Sequence, residues 1–397
     1  MKRRNVIFGI IAGALAVTTA PIAFQTAHAA DTIKVGVILP MTGPFASTGR
    51  QVSAGMKLYI QQNGDTVAGK KIEMILKDDG GVPDQTKRLA QELIVNDGVK
   101  VLAGFGLTPL AFAVAPLATK AKIPAVVTSA ATSSITEKSP YIARTFFTIA
   151  QAAVPLAEWA HKNGINKVVT VVADYAPGID AENAFSKIFE KAGGTVSQQI
   201  RVPVANPDFA PFLQRVKDDK PDAVFVFVPS GVGAAFMQQF KAKGLEEAGI
   251  KLIGTGDVTD DDILNSMGDV ALGTITAHQY SAAHDSKENK AFVEAFEKAN
   301  KDMRPNFMAV GGYDGMHLIY YALEKTKGST DGTALIDAMK GAHWTSPRGP
   351  ISIDPETRDI VQNIYLRKVE KKDGQLYNVE FDTIPNVKDP VKAGVLK

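Results

Sequence analysis

Short segments rich in valine and isoleucine alternate along this chain with longer segments whose apolar residues recur at helical period. This alternation is typical of a parallel sheet whose consecutive strands are joined by helices. It therefore predicts an α/β fold. The predicted strands are Lys34–Leu39, Lys71–Lys77, Val101–Gly104, Ala125–Thr128, Lys167–Ala173, Ala223–Val228 and Lys251–Gly254.

The 397 residues are too many for one ordinary core, so we expect two Rossmann-like, doubly wound lobes. Crossovers are predicted near residues 148–153, 277–280 and 346–350, where sets of alternating units end and begin. These crossovers assign 30–150 and 279–347 to the first lobe, and 151–278 and 348–397 to the second. The predicted helices are 47–62, 85–96, 109–121, 153–162, 179–191, 209–219, 231–243, 287–301 and 308–325.

The N-terminus has the three parts of a secretory signal peptide. Lys2, Arg3 and Arg4 precede an apolar run over residues 6–24, and Ala27-His28-Ala29 places small residues where a signal peptidase cleaves. We expect residues 1–29 to be removed and the mature chain to reach the periplasm. The alternative is an uncleaved membrane anchor, because the apolar run is nearly long enough to span a bilayer.

Composition excludes several classes of function. The chain has no cysteine, which excludes disulfides, thiolate metal sites and an acyl-cysteine lipid anchor. Its 44 basic and 42 acidic residues nearly cancel, so no overall field attracts nucleic acid or anionic lipid. We therefore expect a monomer that binds a small solute or another protein, and no nucleic acid.

The sequence contains no recognisable catalytic or metal-binding motif. It lacks a nucleophile elbow, a zinc-protease helix, a Walker loop and a dinucleotide fingerprint. Asp257 and Asp260–Asp262 would suit a cation, but acidic residues after a threonine more often form the first turn of a helix. The five histidines beyond residue 29 stand singly: His161, His278, His284, His317 and His343. We predict no catalytic residue, metal or cofactor.

Two turns at the ends of predicted strands carry hydroxyl groups and free backbone donors. In the first, Thr108 is predicted to be the N-cap of a helix and Pro109 its first residue. The second turn is Ser129–Ser134. Ligands of doubly wound sheets bind at the carboxyl ends of strands, where exposed N–H groups suit a carboxylate. Ordinary helix capping is the alternative explanation, but two adjacent turns favour an anion site.

The order of several short motifs resembles the type I periplasmic binding proteins of the branched-chain amino acid (leucine/isoleucine/valine) transporter family. The resemblance covers essentially the whole mature chain. The motifs are Val35–Pro44, Lys77-Asp78-Asp79, Pro124–Thr132, Asn206-Pro207-Asp208-Phe209 and Arg348-Gly349-Pro350.

The resemblance implies two lobes joined by a three-strand hinge, which close on a ligand and deliver it to the permease of an ABC transporter. It also implies that the ligand carboxylate is held mainly by the first lobe. The residues that match this grip are Thr108, Ala130, Ala131 and Thr132.

The positions that hold the ligand ammonium in the amino acid binders differ here. The acidic residue is replaced by Gly256, with Asp257 one residue later, and the tyrosines by Pro177 and by Pro229 or Ser230. A buried ammonium without a partner would cost several kcal/mol. The residues instead resemble the branch of the family that takes up benzoate or hydroxycinnamate-type acids.

Aromatic side chains near the predicted cleft are consistent with an aromatic acid as the ligand. An aromatic acid gains burial energy from such rings without needing a cation partner, although each ring could simply be part of the core. The alternatives are a branched-chain or other amino acid as cargo, an enzyme on the same fold, and a ligand-sensing clamp. The residues that could line the cleft with aromatic rings or flat apolar surface are Phe105, Tyr175, Pro177, Tyr280 and Tyr313.

Overall fold

A computed structural model describes residue 1 and residues 32–204 and 207–396. The predicted signal peptide and Asn206 lie outside the described residues. Within the described ranges, no helix is both long and apolar enough to cross a membrane.

Two sheets, each covered by helices, confirm the predicted α/β class. The first has the strand order β2-β3-β1-β4-β5-β6, in which β2 is antiparallel to β3 and the other pairs are parallel. Its central strands are buried on both faces because helices pack on each side. The bounds are β1 Thr32–Leu39, β2 Thr66–Val67, β3 Lys70–Asp78, β4 Val101–Gly104, β5 Ala125–Val127 and β6 Ile142–Arg144.

The second sheet is mixed. Five strands run parallel in the order β11-β10-β9-β7-β8, and an antiparallel set continues it through β14 and β13 to β12, with β15 paired to β14. The bounds are β7 Lys167–Ala173, β8 Thr195–Val202, β9 Ala223–Phe227, β10 Lys251–Thr255, β11 Ile275–His278, β12 His343–Ser346, β13 Gly349–Ile353, β14 Ile360–Lys372 and β15 Gln375–Val387.

The helices follow the chain order expected from the apolar period. Three short 3₁₀ helices occur at Ser133–Lys138, Gly256–Thr259 and Gly268–Ala271. The α-helices are α1 Ala46–Asn63, α2 Pro83–Val95, α3 Thr108–Ala121, α4 Ile149–Lys162, α5 Ala176–Lys191, α6 Ala210–Asp219, α7 Gly233–Ala242, α8 Leu264–Met267, α9 Lys287–Ala299, α10 Phe307–Lys325 and α11 Gly332–Met339.

The chain passes between the sheets three times. After β6 it enters α4, which packs on β10, β11 and β14 of the second sheet. After β11 it returns through α9 to α10 and α11, which pack against strands of the first sheet. It then enters β12, which pairs with β13 in the second sheet. The third crossing therefore lies before residue 343, a few residues earlier than the predicted 346–350.

Two local predictions are corrected by the structure. Thr108 is the first residue of α3 and not its N-cap, because Leu107 takes the extended cap conformation and no side chain caps the helix. The acidic run Asp260–Asp262 is not the exposed first turn of a helix, because α8 begins at Leu264 and Asp260 and Asp261 are buried. These acids instead hydrogen-bond to groups from other parts of the fold.

Candidate functional site

A cavity of about 30 Å³ lies where the carboxyl ends of strands from both sheets meet. Nearly every residue that lines it lies between the end of a strand and the first turn of the helix that follows, as expected for a ligand site in parallel sheets. The exception is Met308, which lies at the start of α10. The lining residues are Phe45, Thr48, Gly106, Leu107, Thr108, Ser129, Ala130, Ala131, Phe146, Tyr175, Pro177, Phe227, Pro229, Ser230, Asp257 and Met308.

Seven of the ten residues predicted for the site line this cavity. They are Thr108, Ala130, Ala131, Tyr175, Pro177, Ser230 and Asp257. Thr132 lies behind the wall and accepts a hydrogen bond from the Thr108 hydroxyl, with 3.1 Å between the two oxygens. This contact ties the turn after β4 to the turn after β5, so the two parts of the predicted carboxylate grip are in direct contact.

Three predicted aromatic residues lie elsewhere. Phe105 has a left-handed backbone, φ +68°, and its ring is buried in the apolar cluster under α2 and α3. Tyr280 is fully buried on the segment after β11 and packs edge-on against Phe292. Tyr313 faces α1, where its hydroxyl donates to Gln62. Phe105 and Tyr280 are part of the core, Tyr313 is partly buried against it, and Phe146 and Phe227 line the cavity instead.

Four of the residues that line the cavity were not predicted, although the rule that ligands bind at the carboxyl ends of strands would have selected them. Phe45 and Thr48 follow β1, Phe146 follows β6 and Phe227 ends β9, so the carboxyl-end rule applies to all four. Met308 has no comparable sequence signal, because it is brought to the cavity by the helix that returns from the second sheet.

The turn after β5 points its backbone donors and acceptors in different directions. The guanidinium of Arg144 donates to the carbonyls of Ala130, Thr132 and Ser133, at 3.3, 2.8 and 3.2 Å. The carbonyl of Ala131 accepts from the N–H of Ile149. Within the described residues, the N–H groups of Ala130 and Ala131 donate to no acceptor. The cavity wall therefore offers free donors with a buried cation behind them, which suits an anion.

A buried ion pair holds Arg144 in this position. Asp359 accepts from its Nε and Nη2 at 2.8 and 2.5 Å, and both side chains are almost fully buried. The second oxygen of Asp359 accepts from Lys392 at 2.5 Å. Because Asp359 directly precedes β14, this network connects the turn after β5 to the second sheet.

The opposite wall of the cavity is flat and mostly apolar. The rings of Tyr175 and Phe227 are stacked, with centroids 6.0 Å apart and planes inclined by 19°. Pro177 and Pro229 extend this surface. Burial and the nearby Asp257 carboxylate raise the pKa of the Tyr175 hydroxyl, so Tyr175 is a neutral phenol at physiological pH.

Asp257 is the one charged side chain among the residues that line the cavity. It is 6% exposed, and its carboxyl accepts a hydrogen bond of 3.0 Å from the Thr255 hydroxyl. Burial raises the pKa of this carboxyl to about 7. Gly256 before it has no room for a side chain, because a Cβ there would lie 1.9 Å from Nη2 of Arg367 and 2.3 Å from Cδ2 of His278.

Polar contacts beside the cavity join the two halves of the fold. Asp260, which follows β10, accepts from the Ser230 hydroxyl and, at 2.8 and 3.0 Å, from the side-chain amide of Asn306 at the start of α10. Burial raises the pKa of Asp260 to about 8. On the other side, Asp180 of α5 accepts from the N–H of Ser133 at 3.1 Å.

The described residues contain no group of acidic, histidine or cysteine side chains arranged to hold a metal ion. Asp257 and Asp260 belong instead to the cavity wall and to the contacts between the two halves.

Similar proteins match along most of the chain. The sequence profile of the periplasmic binding protein family matches residues 32–375. A Brucella melitensis protein named Leu/Ile/Val-binding protein homolog 6 is 47% identical over 365 residues, which cover 91% of this chain and 94% of that protein.

Two solved structures share the fold closely. A solute-binding protein of an ABC transporter from Rhodopseudomonas palustris BisB5, in complex with 3,4-dihydroxybenzoic acid, is 65% identical and has a TM-score of 0.90, covering 91% of this chain and 99% of its own. One from strain HaA2, in complex with p-hydroxybenzoic acid, is 46% identical with the same TM-score and covers 92% and 100%. This chain belongs to the periplasmic binding protein family and is a solute-binding protein.

Proposed function

We propose that this protein captures an aromatic carboxylate of the benzoate or hydroxycinnamate type in the periplasm and delivers it to the permease of an ABC transporter. The observation that carries the proposal is the pair of residues Ala130 and Ala131, whose N–H groups have no acceptor among the described residues and which line a cavity together with two stacked rings. The donors suit a carboxylate, and the flat apolar wall suits an aromatic ring.

The hydroxyls of Thr108 and Ser129 complete the carboxylate grip. Ser129 donates to the carbonyl of Gly106 at 3.1 Å and lines the cavity beside Thr108. Both hydroxyls can turn toward a bound anion, because a hydroxyl rotor follows the strongest acceptor. The hydroxybenzoic acids bound by the two Rhodopseudomonas proteins support this class of ligand.

The second candidate cargo is a branched-chain or other amino acid. Its support is the name of the Brucella relative and the presence of Asp257 in the cavity wall, where a carboxylate could pair with an ammonium group. Two features weigh against it. Arg367 and His278 occupy the space that an acidic side chain at position 256 would need, and the raised pKa of Asp257 reflects surroundings that disfavour charge.

Binding is proposed to proceed by hinge closure of two lobes. The sequence predicts residues 30–150 and 279–347 for the first lobe and 151–278 and 348–397 for the second, and we place β12 with the second lobe because it pairs in the second sheet. The contacts of Asp180 with Ser133 and of Asp260 with Asn306 join residues from the two lobes and would form only on closure. The closed form is what the permease would recognise, and the ligand would be released unchanged.

The function is tested by calorimetric titration of the purified mature protein with benzoate, 4-hydroxybenzoate, 4-hydroxycinnamate and leucine. Saturable binding of at least one aromatic acid, with none for leucine, is the expected result. Because a ligand that binds only the folded state raises the melting temperature, a thermal shift with the same compounds gives an independent readout. Binding of leucine alone would contradict the proposal.

Replacing Thr108 with alanine is expected to weaken binding of the aromatic acid by about 1–3 kcal/mol, because a charge-assisted hydrogen bond to the carboxylate is lost. The measurement is the dissociation constant by calorimetry. Thr119→Ala is the matched control, since Thr119 lies in the same helix but bonds to Ala115 and Ser139, away from the cavity. Equal dissociation constants for the two variants would show that Thr108 does not bind the ligand.

A further inference from the structure

We infer that the Asp257 carboxyl binds a hydroxyl group on the far edge of the ligand's aromatic ring, so that the site selects hydroxylated benzoates over benzoate. This inference rests on the proposed function, which places the ligand carboxylate at the turn after β5. The first-sheet wall offers donors there, at Thr108, Ala130 and Ala131. Asp257 lies in the 3₁₀ helix that follows β10 of the second sheet, and it is the one acidic residue among those that line the cavity.

Asp257 has hydrogen-bonding capacity that the protein leaves unused. A carboxyl group can accept about four hydrogen bonds. Among the described side chains, only Thr255 donates to it, at 3.0 Å, and it is 6% exposed. Its own backbone N–H also bonds to the carboxyl, which still leaves capacity for a further donor supplied by the ligand.

The surroundings favour a neutral donor over a cationic one. The rings of Tyr175 and Phe227 and the flat surface of Pro177 adjoin Asp257 in the cavity wall. The buried Arg367 guanidinium lies close behind, within 1.9 Å of where a Cβ of Gly256 would be, and a second cation nearby would be repelled.

A hydroxyl group also suits either protonation state of the carboxyl. Burial raises the pKa of Asp257 to about 7, so both forms are present near neutral pH. The ionised form accepts a hydrogen bond from a phenol, and the protonated form can accept or donate one. An ammonium partner would require the ionised form alone.

The hydroxyl of Tyr175 adds a second group to this end of the cavity. Within the described residues it makes no hydrogen bond, and Tyr175 and Asp257 both line the cavity. A ring with two adjacent hydroxyls would therefore meet a carboxyl and a phenol at the same edge.

The test compares benzoate, 4-hydroxybenzoate and 2-hydroxybenzoate by calorimetry on the wild-type protein and on Asp257→Leu, which keeps the volume but removes the acceptor. The wild type is expected to bind 4-hydroxybenzoate about tenfold more tightly than benzoate, the worth of one good hydrogen bond. It should show no such gain for 2-hydroxybenzoate, whose hydroxyl lies beside the carboxylate. Asp257→Leu is expected to weaken binding of 4-hydroxybenzoate about tenfold relative to benzoate, which brings the ratio of the two affinities to about one.

Two further variants keep this test decisive. Asp257→Asn retains one acceptor oxygen and should retain part of the preference, and it serves in place of Asp257→Leu if the leucine variant fails to fold. Asp174→Leu removes an exposed carboxylate one residue before Tyr175 and should leave the ratio unchanged.

The possible outcomes separate this inference from the function on which it rests. If neither aromatic acid binds the wild type, the proposed function fails. If both bind but Asp257→Leu keeps the wild-type ratio, the function stands and the hydroxyl assignment is overturned. If leucine binds the wild type and loses affinity in Asp257→Leu, Asp257 is an ammonium partner and the assignment is likewise overturned.

Discussion

Replacing Asp359 with alanine is expected to lower the free energy of unfolding by about 3–5 kcal/mol, because it leaves a buried cation without its partner. Arg144 is fully buried and Lys392 nearly so, and both side chains bond to this carboxylate. The same change should weaken aromatic-acid binding, since Arg144 would no longer be held against the carbonyls of Ala130 and Thr132. Chemical denaturation and calorimetry on the same samples measure both effects.

An exposed ion pair provides the control for this prediction. Asp269 pairs with Lys371 at 2.9 Å on the surface, and Asp269→Ala should change stability by no more than about 1 kcal/mol.

A double variant separates the two roles of the buried pair. Arg144→Met with Asp359→Leu should recover part of the stability lost in Asp359→Ala, because the fully buried Arg144 cation is gone and only Lys392 is left without its partner, but it should not recover binding. Full recovery of affinity would show that Arg144 does not position the turn.

Replacing Gly256 with alanine is expected to destabilise the protein by about 3 kcal/mol, the upper end for overpacking a core. The new methyl group would overlap Arg367, whose guanidinium is held by bonds to Thr276 and the Tyr280 carbonyl, and the buried ring of His278. Both side chains are fully buried, so a shift of either would disturb its packed neighbours. By the same reasoning, Gly256→Asp should not create an amino acid site. Thermal and chemical denaturation measure the loss.

Gly249→Ala separates steric from conformational cost. Gly249 has φ +79°, and no atom lies within 4 Å of a Cβ built there. This variant should therefore lose only the about 1–2 kcal/mol that a left-handed conformation costs an L-residue. If Gly256→Ala lowered the free energy of unfolding no more than Gly249→Ala, position 256 would have room for a side chain. An acidic side chain there would then not be excluded.

The parallel strands and the long helices were predictable because each carries its own periodic signal. The hairpin of β14 and β15 was missed, although Asp373 and Gly374 form its two-residue turn with φ values of +50° and +78°. An Asp-Gly pair is a strong hairpin signal, but the flanking strands are rich in exposed charges and lack a clear apolar alternation. Their place in the second sheet depends on pairing with β11 and β13.

The candidate site was partly predictable for a similar reason. The rule that ligands bind beyond the carboxyl ends of strands depends on chain order alone, and it selects Thr108, Ala131 and Asp257 from the sequence. It does not say which way a side chain points. Phe105 and Tyr280 follow strands as well, yet the left-handed backbone of Phe105 and the buried path after β11 direct both rings into the core.

The sequence by itself determined the α/β class, most helices and strands and the turns at which a carboxylate could bind, because these depend on local periodicity and on position along the chain. Only the tertiary structure decided which rings face the cavity, why Gly256 admits no side chain, and how Arg144 aligns the turn after β5. These depend on contacts between residues far apart in sequence, such as Arg144 with Asp359 and Gly256 with Arg367. No local pattern encodes them, since they arise from the space and the partners that the folded chain provides.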